Sequence, residues 1–122
     1  MDWKYLFLSL EGRINRAKFW AGIGVIFVGA IIATIIDNVA GLTIGGQPYG
    51  VVYIIYVIAM IWPAIMLYAK RWHDRDKSGW WTLIAFVPVI GGIWILIELG
   101  ILAGKPGENR FGPDPLGRTA AI

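Results

Sequence analysis

The sequence predicts an all-α membrane protein, with an interfacial N-terminal helix followed by three transmembrane helices in one domain, and three observations predict it. The 122 residues are 57% hydrophobic with a mean hydropathy of +0.64, which is more apolar surface than a water-soluble chain of this size can bury. Three apolar runs, 19–36, 51–69 and 81–102, are each long enough to cross a bilayer core as a helix. The eleven Lys and Arg lie between these runs rather than in one block. That distribution suits a lipid bilayer and its anionic headgroups, and it lacks the continuous basic face that nucleic acid requires. With no cysteine and one histidine, neither a disulfide framework nor a metal centre is expected, and no phosphate loop or other cofactor motif occurs.

Residues 1–18 combine Trp3, Tyr5, Leu6, Phe7, Leu8 and Leu10 with Lys4, Arg13, Arg16 and Lys18. Tyr5 to Leu8 is too short for a signal-peptide core, and the mixture predicts a short interfacial helix with its rings among headgroups and its bases in water. Residues 19–36 carry no charge and would make a helix of ~27 Å at ~1.5 Å per residue, the first span. On it Ala21, Gly29 and Ala33 share a face, where a neighbouring helix of the same chain should approach closely. Asp37 and Asn38 end the span, and Gly41, Gly45, Gly46, Pro48 and Gly50 supply a short loop without Lys or Arg. Residues 51–69 are the second span, entered by Tyr49, Tyr53 and Tyr56 as an aromatic belt and interrupted by Pro63, which should kink it.

Residues 70–81, Lys-Arg-Trp-His-Asp-Arg-Asp-Lys-Ser-Gly-Trp-Trp, form a charged hinge between apolar neighbours. The third run, 81–102, bears Pro88, Gly91 and Gly92 in its first half and Glu98 near its far end. A single kinked crossing is the preferred reading. The alternative is a re-entrant hairpin turning at 88–92, because neither arm of about ten residues spans alone. Residues 103–122 form a turn-rich tail stiffened by Pro113 and Pro115.

Four Lys and Arg precede the first span, none lies between the first and second, four lie between the second and third, and three follow the third. This bias places the N-terminus and the hinge in the cytoplasm. Three crossings then put Lys105, Arg110 and Arg118 outside, which the same rule disfavours, and this conflict is the best argument for the hairpin.

The hinge holds most of the candidate chemistry. A carboxylate beside an imidazole, as in His73 and Asp74, can shift its pKa and fix its tautomer, but adjacent residues rarely face one another, and no nucleophile or metal accompanies them. Arg71, His73, Asp74, Arg75 and Asp76 therefore read as an interfacial ion-pair and capping network, with a lipid-headgroup or anion site as the alternative and no catalytic residue assigned. Ser78 is a candidate N-cap ahead of Gly79. Glu98 is the one carboxylate inside an apolar run, and two readings stand equal: a functional intramembrane acid, or a side chain reaching the interface.

Three separated motifs resemble the DUF805 family of small bacterial inner-membrane proteins. They are Gly12-Arg13-Ile14-Asn15-Arg16 with Phe19-Trp20, Arg71-Trp72-His73-Asp74 with Ser78-Gly79-Trp80-Trp81, and Gly104 with Gly107-Glu108-Asn109-Arg110-Phe111-Gly112-Pro113-Asp114-Pro115. The resemblance covers nearly the whole chain; Trp72 stands where the family commonly has Leu, and Asp76 where it has a small residue. It implies a bacterial inner-membrane location and brings no substrate, cofactor or catalytic residue. Arg13, Arg16, Arg71, His73, Asp74, Ser78, Gly79, Trp80, Glu98 and Asn109 are thus structural or functional candidates. The expected role is a non-enzymatic membrane module that binds a membrane protein partner or assembles as a homo-oligomer. A small homo-oligomeric transporter or channel, suggested by Glu98, the tyrosines and the two prolines, is the alternative.

Overall fold

Two long antiparallel helices stand side by side, and the N-terminal helix, the tail and both ends of the third apolar run gather at one end of the pair. The structure, a computed structural model, describes residues 3–116. Its elements are α1 (Trp3–Leu8), α2 (Arg16–Ala40), α3 (Val51–Asp74), a 3₁₀ helix (Gly79–Phe86), and α4 (Ile90–Ile95), which continues into a π-helical segment (Leu96–Ile101). The described residues contain no strand, only isolated bridges between Thr43 and Gly50 and between Asn109 and Gly112. Met1, Asp2 and the end of the tail from residue 117, including Arg118, lie outside the described residues.

Both long helices exceed their apolar runs, and polar capping explains the excess. The Asn15 side chain accepts from the Lys18 amide at 2.8 Å, starting α2 at Arg16. The same helix runs past residue 36 to a left-handed Gly41, so Asp37 lies inside it rather than ending it. α3 likewise continues through the first part of the hinge to Asp74, and Pro63 lies within it without ending it. Its charged last turn is tolerated because every charge there finds a partner.

Between α2 and α3 the small-residue face is used within the chain. Ala33 is buried. A Cβ at Gly29 would lie 2.1 Å from the Tyr56 hydroxyl, which donates to the Ile26 carbonyl at 2.7 Å. Tyr49 and Tyr53 pack against each other with centroids 5.5 Å apart and planes tilted by 39°.

The third run departs from the single kinked helix preferred on sequence. It breaks at 87–89, where Ile90 N–H donates to the Pro88 carbonyl at 2.7 Å around Val89 at φ 65, ψ −59, a rare γ-turn for a β-branched residue. The arms on either side fold back on one another, so closely that a Cβ on Gly91 would meet the Ile84 carbonyl oxygen at 1.9 Å. The first arm leaves directly from α3. The second returns to the same end, where Trp20 donates to the Gly100 carbonyl at 2.8 Å and Arg16 to the Ile101 carbonyl at 2.7 Å. The hairpin alternative therefore describes this segment, because Pro88 and Gly91 permit the reversal and neither arm is long enough to stand alone.

Exposure is inverted relative to a water-soluble fold. Phe27, Ile58 and Trp62 are each more than 60% exposed, whereas Arg13, Asp37, Lys70, Arg71 and Asp74 are 4% exposed or less. Apolar side chains outside and charges within are affordable only where the exterior solvent is lipid.

Candidate functional site

Asp74 is the centre of the buried polar cluster, held between two guanidiniums from different parts of the chain. Arg71, one turn earlier on α3, places Nη1 2.5 Å from Oδ2, and Arg13, from the connection between α1 and α2, places Nη2 3.0 Å from Oδ1. Arg13 is aimed by Tyr5, whose hydroxyl donates to the Arg13 carbonyl at 3.1 Å and accepts from its amide at 3.0 Å. Burial raises the Asp74 pKa above its ordinary value, against the opposing pull of Arg71 and Arg13.

Neither arginine stops at the carboxylate. Arg13 also donates to the carbonyls of Lys105 at 2.5 Å, Gly107 at 2.6 Å and Gly112 at 3.2 Å, and Arg71 to those of Leu99 at 2.6 Å and Leu102 at 2.5 Å. The first fastens the tail and the second the returning arm of the hairpin. Lys105 N–H reciprocates to the Asp74 carbonyl at 2.7 Å. Gly104 lies so near that a Cβ there would meet Asp74 Oδ2 at 1.9 Å, so glycine is required by close approach.

Lys70 locks α1 in place. Fully buried, its ammonium donates to the Leu6 carbonyl at 2.8 Å and also to that of Ser9. Burial pushes its pKa down to about 8, and the two carbonyl acceptors favour the charged form at neutral pH.

His73 and Asp74 do not pair; they point to different partners. His73 stacks on Phe111 with centroids 4.0 Å apart and planes 4° off parallel, and its Nδ1 donates to the Gly12 carbonyl at 2.9 Å. That bond leaves Nε2 as an acceptor in the neutral ring. Burial chiefly, together with Lys70 and Arg110, lowers the His73 pKa, and the Gly12 bond acts the other way. Asn109 donates to the His73 carbonyl at 2.9 Å while its own oxygen accepts from Phe111 N–H at 2.8 Å, so it orders the tail turn beneath the ring. Beside His73 opens a cavity of about 590 Å³.

Glu98 faces the hinge. It accepts from Arg75 Nε and Lys77 Nζ, each at 2.9 Å, and from Trp94 Nε1 at 3.2 Å. Lys77 in turn lies over the Trp81 ring at 4.9 Å. Of the remaining candidates, Arg16 donates to the Ile101 carbonyl, Ser78 caps the 3₁₀ helix by accepting from Trp80 N–H at 3.3 Å, Gly79 abuts Ala69, and Trp80 is largely exposed. Among the described residues no three acids or histidines come together as metal ligands would.

Sequence reasoning missed Lys70 and Asp37. At the far end of the helix pair, buried Asp37 accepts from the amides of Gly50 at 2.8 Å, Val52 at 2.9 Å and Tyr53 at 3.0 Å. It thereby caps α3, whose own N-cap residue, Gly50, has no side chain. The available signal was a carboxylate shortly before a glycine-rich loop that leads into a helix without a Ser, Thr, Asp or Asn to start it.

Residues 7–113 match a family described as "Protein of unknown function (DUF805)". The inner membrane protein YhaH of Escherichia coli K12 is 37% identical over 120 residues, covering 94% of this chain and 97% of the relative. The inner membrane protein YhaI of the same organism is 36% identical over 110 residues, covering 89% and 87%, and the uncharacterized protein YiiR is 29% identical over 130 residues, covering 87% and 85%. No solved structure matches the chain. With two long apolar helices and a shorter one, the chain is a helical membrane protein.

Proposed function

Because this chain belongs to the DUF805 family, whose function is unknown, we propose its role from its own geometry: it is a non-enzymatic module of the bacterial inner membrane that binds a membrane protein or a second copy of itself. The observation that supports this reading is that the buried charges are turned upon the chain. Asp74, Arg13, Arg71 and Lys70 hold α1, the hairpin and the tail together, and the only histidine makes no hydrogen bond to a hydroxyl or carboxylate among the described residues. A general base needs such a partner or a substrate proton within reach. Two of the features that suggested a pore are also engaged internally: Glu98 by Arg75, Lys77 and Trp94, and the Tyr56 hydroxyl by Ile26.

In this reading α2 and α3 cross the membrane and the third run enters and leaves on the cytoplasmic side. The support is electrostatic. With the hairpin returning, all eleven Lys and Arg of the sequence fall on one side of the membrane and the 41–50 loop, which has none, on the other. The conflict raised by a third crossing disappears.

The sequence has no cysteine, so single-cysteine variants give a clean test. Gly24→Cys and Ile58→Cys place a thiol on the outward faces of α2 and α3, where Gly24 has open space and Ile58 is exposed. Oxidative and bifunctional cross-linking in native membranes should yield a discrete band, either of twice the protein's mass or with one reproducible partner. A series of outward positions giving only the monomer would count against a binding module.

A further inference from the structure

We infer that the cavity beside His73 receives the headgroup of a membrane phospholipid bearing both a phosphate and a primary ammonium. The inference rests on the topology proposed above, in which the last turn of α3 lies at headgroup level. At about 590 Å³ the cavity falls within the range of small-ligand sites, and its lining changes character along the helix axis. Ile65, Ala69 and His73 recur every fourth residue on one face of α3, so the wall runs ~12 Å from apolar to polar at ~1.5 Å per residue. That gradient matches an amphiphile standing along the membrane normal, with acyl carbons at Ile65 and polar atoms at His73. Gly79 permits the narrow wall, since a Cβ there would come 2.9 Å from that of Ala69.

The polar groups facing the cavity select the headgroup. His73 Nδ1 is committed to Gly12 and the ring is fixed by Phe111, so neutral Nε2 offers a lone pair and has no partner among the described residues. Glu11 lines the same cavity, and its carboxylate forms no ion pair among the described residues. Two acceptors, one of them anionic, call for a cation with N–H donors. Arg110 supplies the opposite charge. It lies over Phe111 at 4.7 Å and meets Asp76 at long range, Nε 3.6 Å from Oδ1 and Nη2 donating to the carbonyl at 3.5 Å, with its side chain 65% exposed, so the guanidinium keeps further donors for a phosphate. A quaternary ammonium has no N–H for His73 or Glu11, and an uncharged glycerol headgroup leaves Glu11 beside a phosphate.

Native mass spectrometry of the full chain, released from micelles doped with phosphatidylethanolamine, phosphatidylcholine or phosphatidylglycerol of matched acyl chains, tests this. Phosphatidylethanolamine should be retained in preference to both others. Glu11→Gln and Arg110→Gln, both at exposed positions, should each reduce its retention by about tenfold or more, as for loss of one charge-assisted hydrogen bond. Glu11→Lys should shift the preference to phosphatidylglycerol. Water-soluble phosphoethanolamine, which shares the charged groups, should compete only weakly if the bound form is the lipid. Equal retention of the three lipids, or retention unchanged by both glutamine variants, would overturn the inference, as would full competition by free phosphoethanolamine. Each of those results is independent of the cross-linking and topology measurements, so the site can fail while the module and its orientation stand.

Discussion

Replacing Asp74 with asparagine keeps the shape of the side chain and removes its charge from between two guanidiniums. Arg13 and Arg71 are 1% and 0% exposed in their side chains, and removing one partner of a buried pair typically costs ~3–5 kcal/mol because a buried charge is left uncompensated. The lower end, about 3 kcal/mol, is expected here, since each guanidinium keeps backbone acceptors: Lys105 and Gly107 for Arg13, Leu99 and Leu102 for Arg71. Arg13→Gln should cost a similar amount, and the double variant should fall short of the sum by about 1–2 kcal/mol, as for residues in direct contact. Exchanging the charges, Arg13→Asp with Asp74→Arg, should not restore stability, because a carboxylate at position 13 would face the carbonyl oxygens of Lys105, Gly107 and Gly112. Unfolding in mild detergent followed by tryptophan fluorescence provides the assay, with buried Trp72 beside the cluster as a reporter. A loss below ~1 kcal/mol for Asp74→Asn, the range of exposed pairs, or strict additivity in the cycle would refute the clamp.

Three further outcomes are expected. Gly104→Ala should destabilise by roughly 1–3 kcal/mol or more through overpacking against Asp74, whereas Gly24→Ala, with open space around it, should be neutral or gain up to about 1 kcal/mol; thermal melts of the pair decide it. Asp37→Ala should cost about 1–2 kcal/mol as a lost helix cap, and hydrogen exchange should report the change at the start of α3. For His73 the folded pKa lies below 6.5 because burial opposes the charged ring, so the unfolded chain binds the proton first. Its contribution is therefore complete above pH 6.5 and falls as the pH drops through that value toward the folded pKa; in a pH series His73→Gln should remove this slope.

How much of this was legible in the sequence varies with the range of the interaction. The two long helices follow from uninterrupted apolar runs, a local signal, but the ends of α2 did not: Asp37 and Asn38 read as its stop, whereas the helix is capped by Asn15 and runs on to Gly41. That N-terminal bases and the hinge share one end followed from charge counts. Which base meets Asp74 did not, because Arg13 is chosen over Arg16 by the Tyr5 hydroxyl gripping the Arg13 backbone, a contact set by how α1 folds back. Lys70 read as an ordinary charge flanking a span; it is buried because the carbonyls of Leu6 and Ser9 descend onto it. The hairpin was visible as Pro88 and Gly91, but the bonds that bring its second arm home, from Trp20, Arg16 and Arg71 to the carbonyls of residues 99–102, are side chain to backbone and leave no pattern in the apolar run.

The side of the membrane on which the tail lies tests most directly the account in which one cytoplasmic clamp gathers the N-terminal segment, the hinge and the returning hairpin. Reporters active only in the cytoplasm, joined separately at residues 45 and 76 and after Ile122, should be silent at 45 and active at the other two. Activity at 76 with silence after Ile122 would mean that the third run crosses the membrane, and would contradict the contact of Arg13 and Arg71 with the tail and the returning arm.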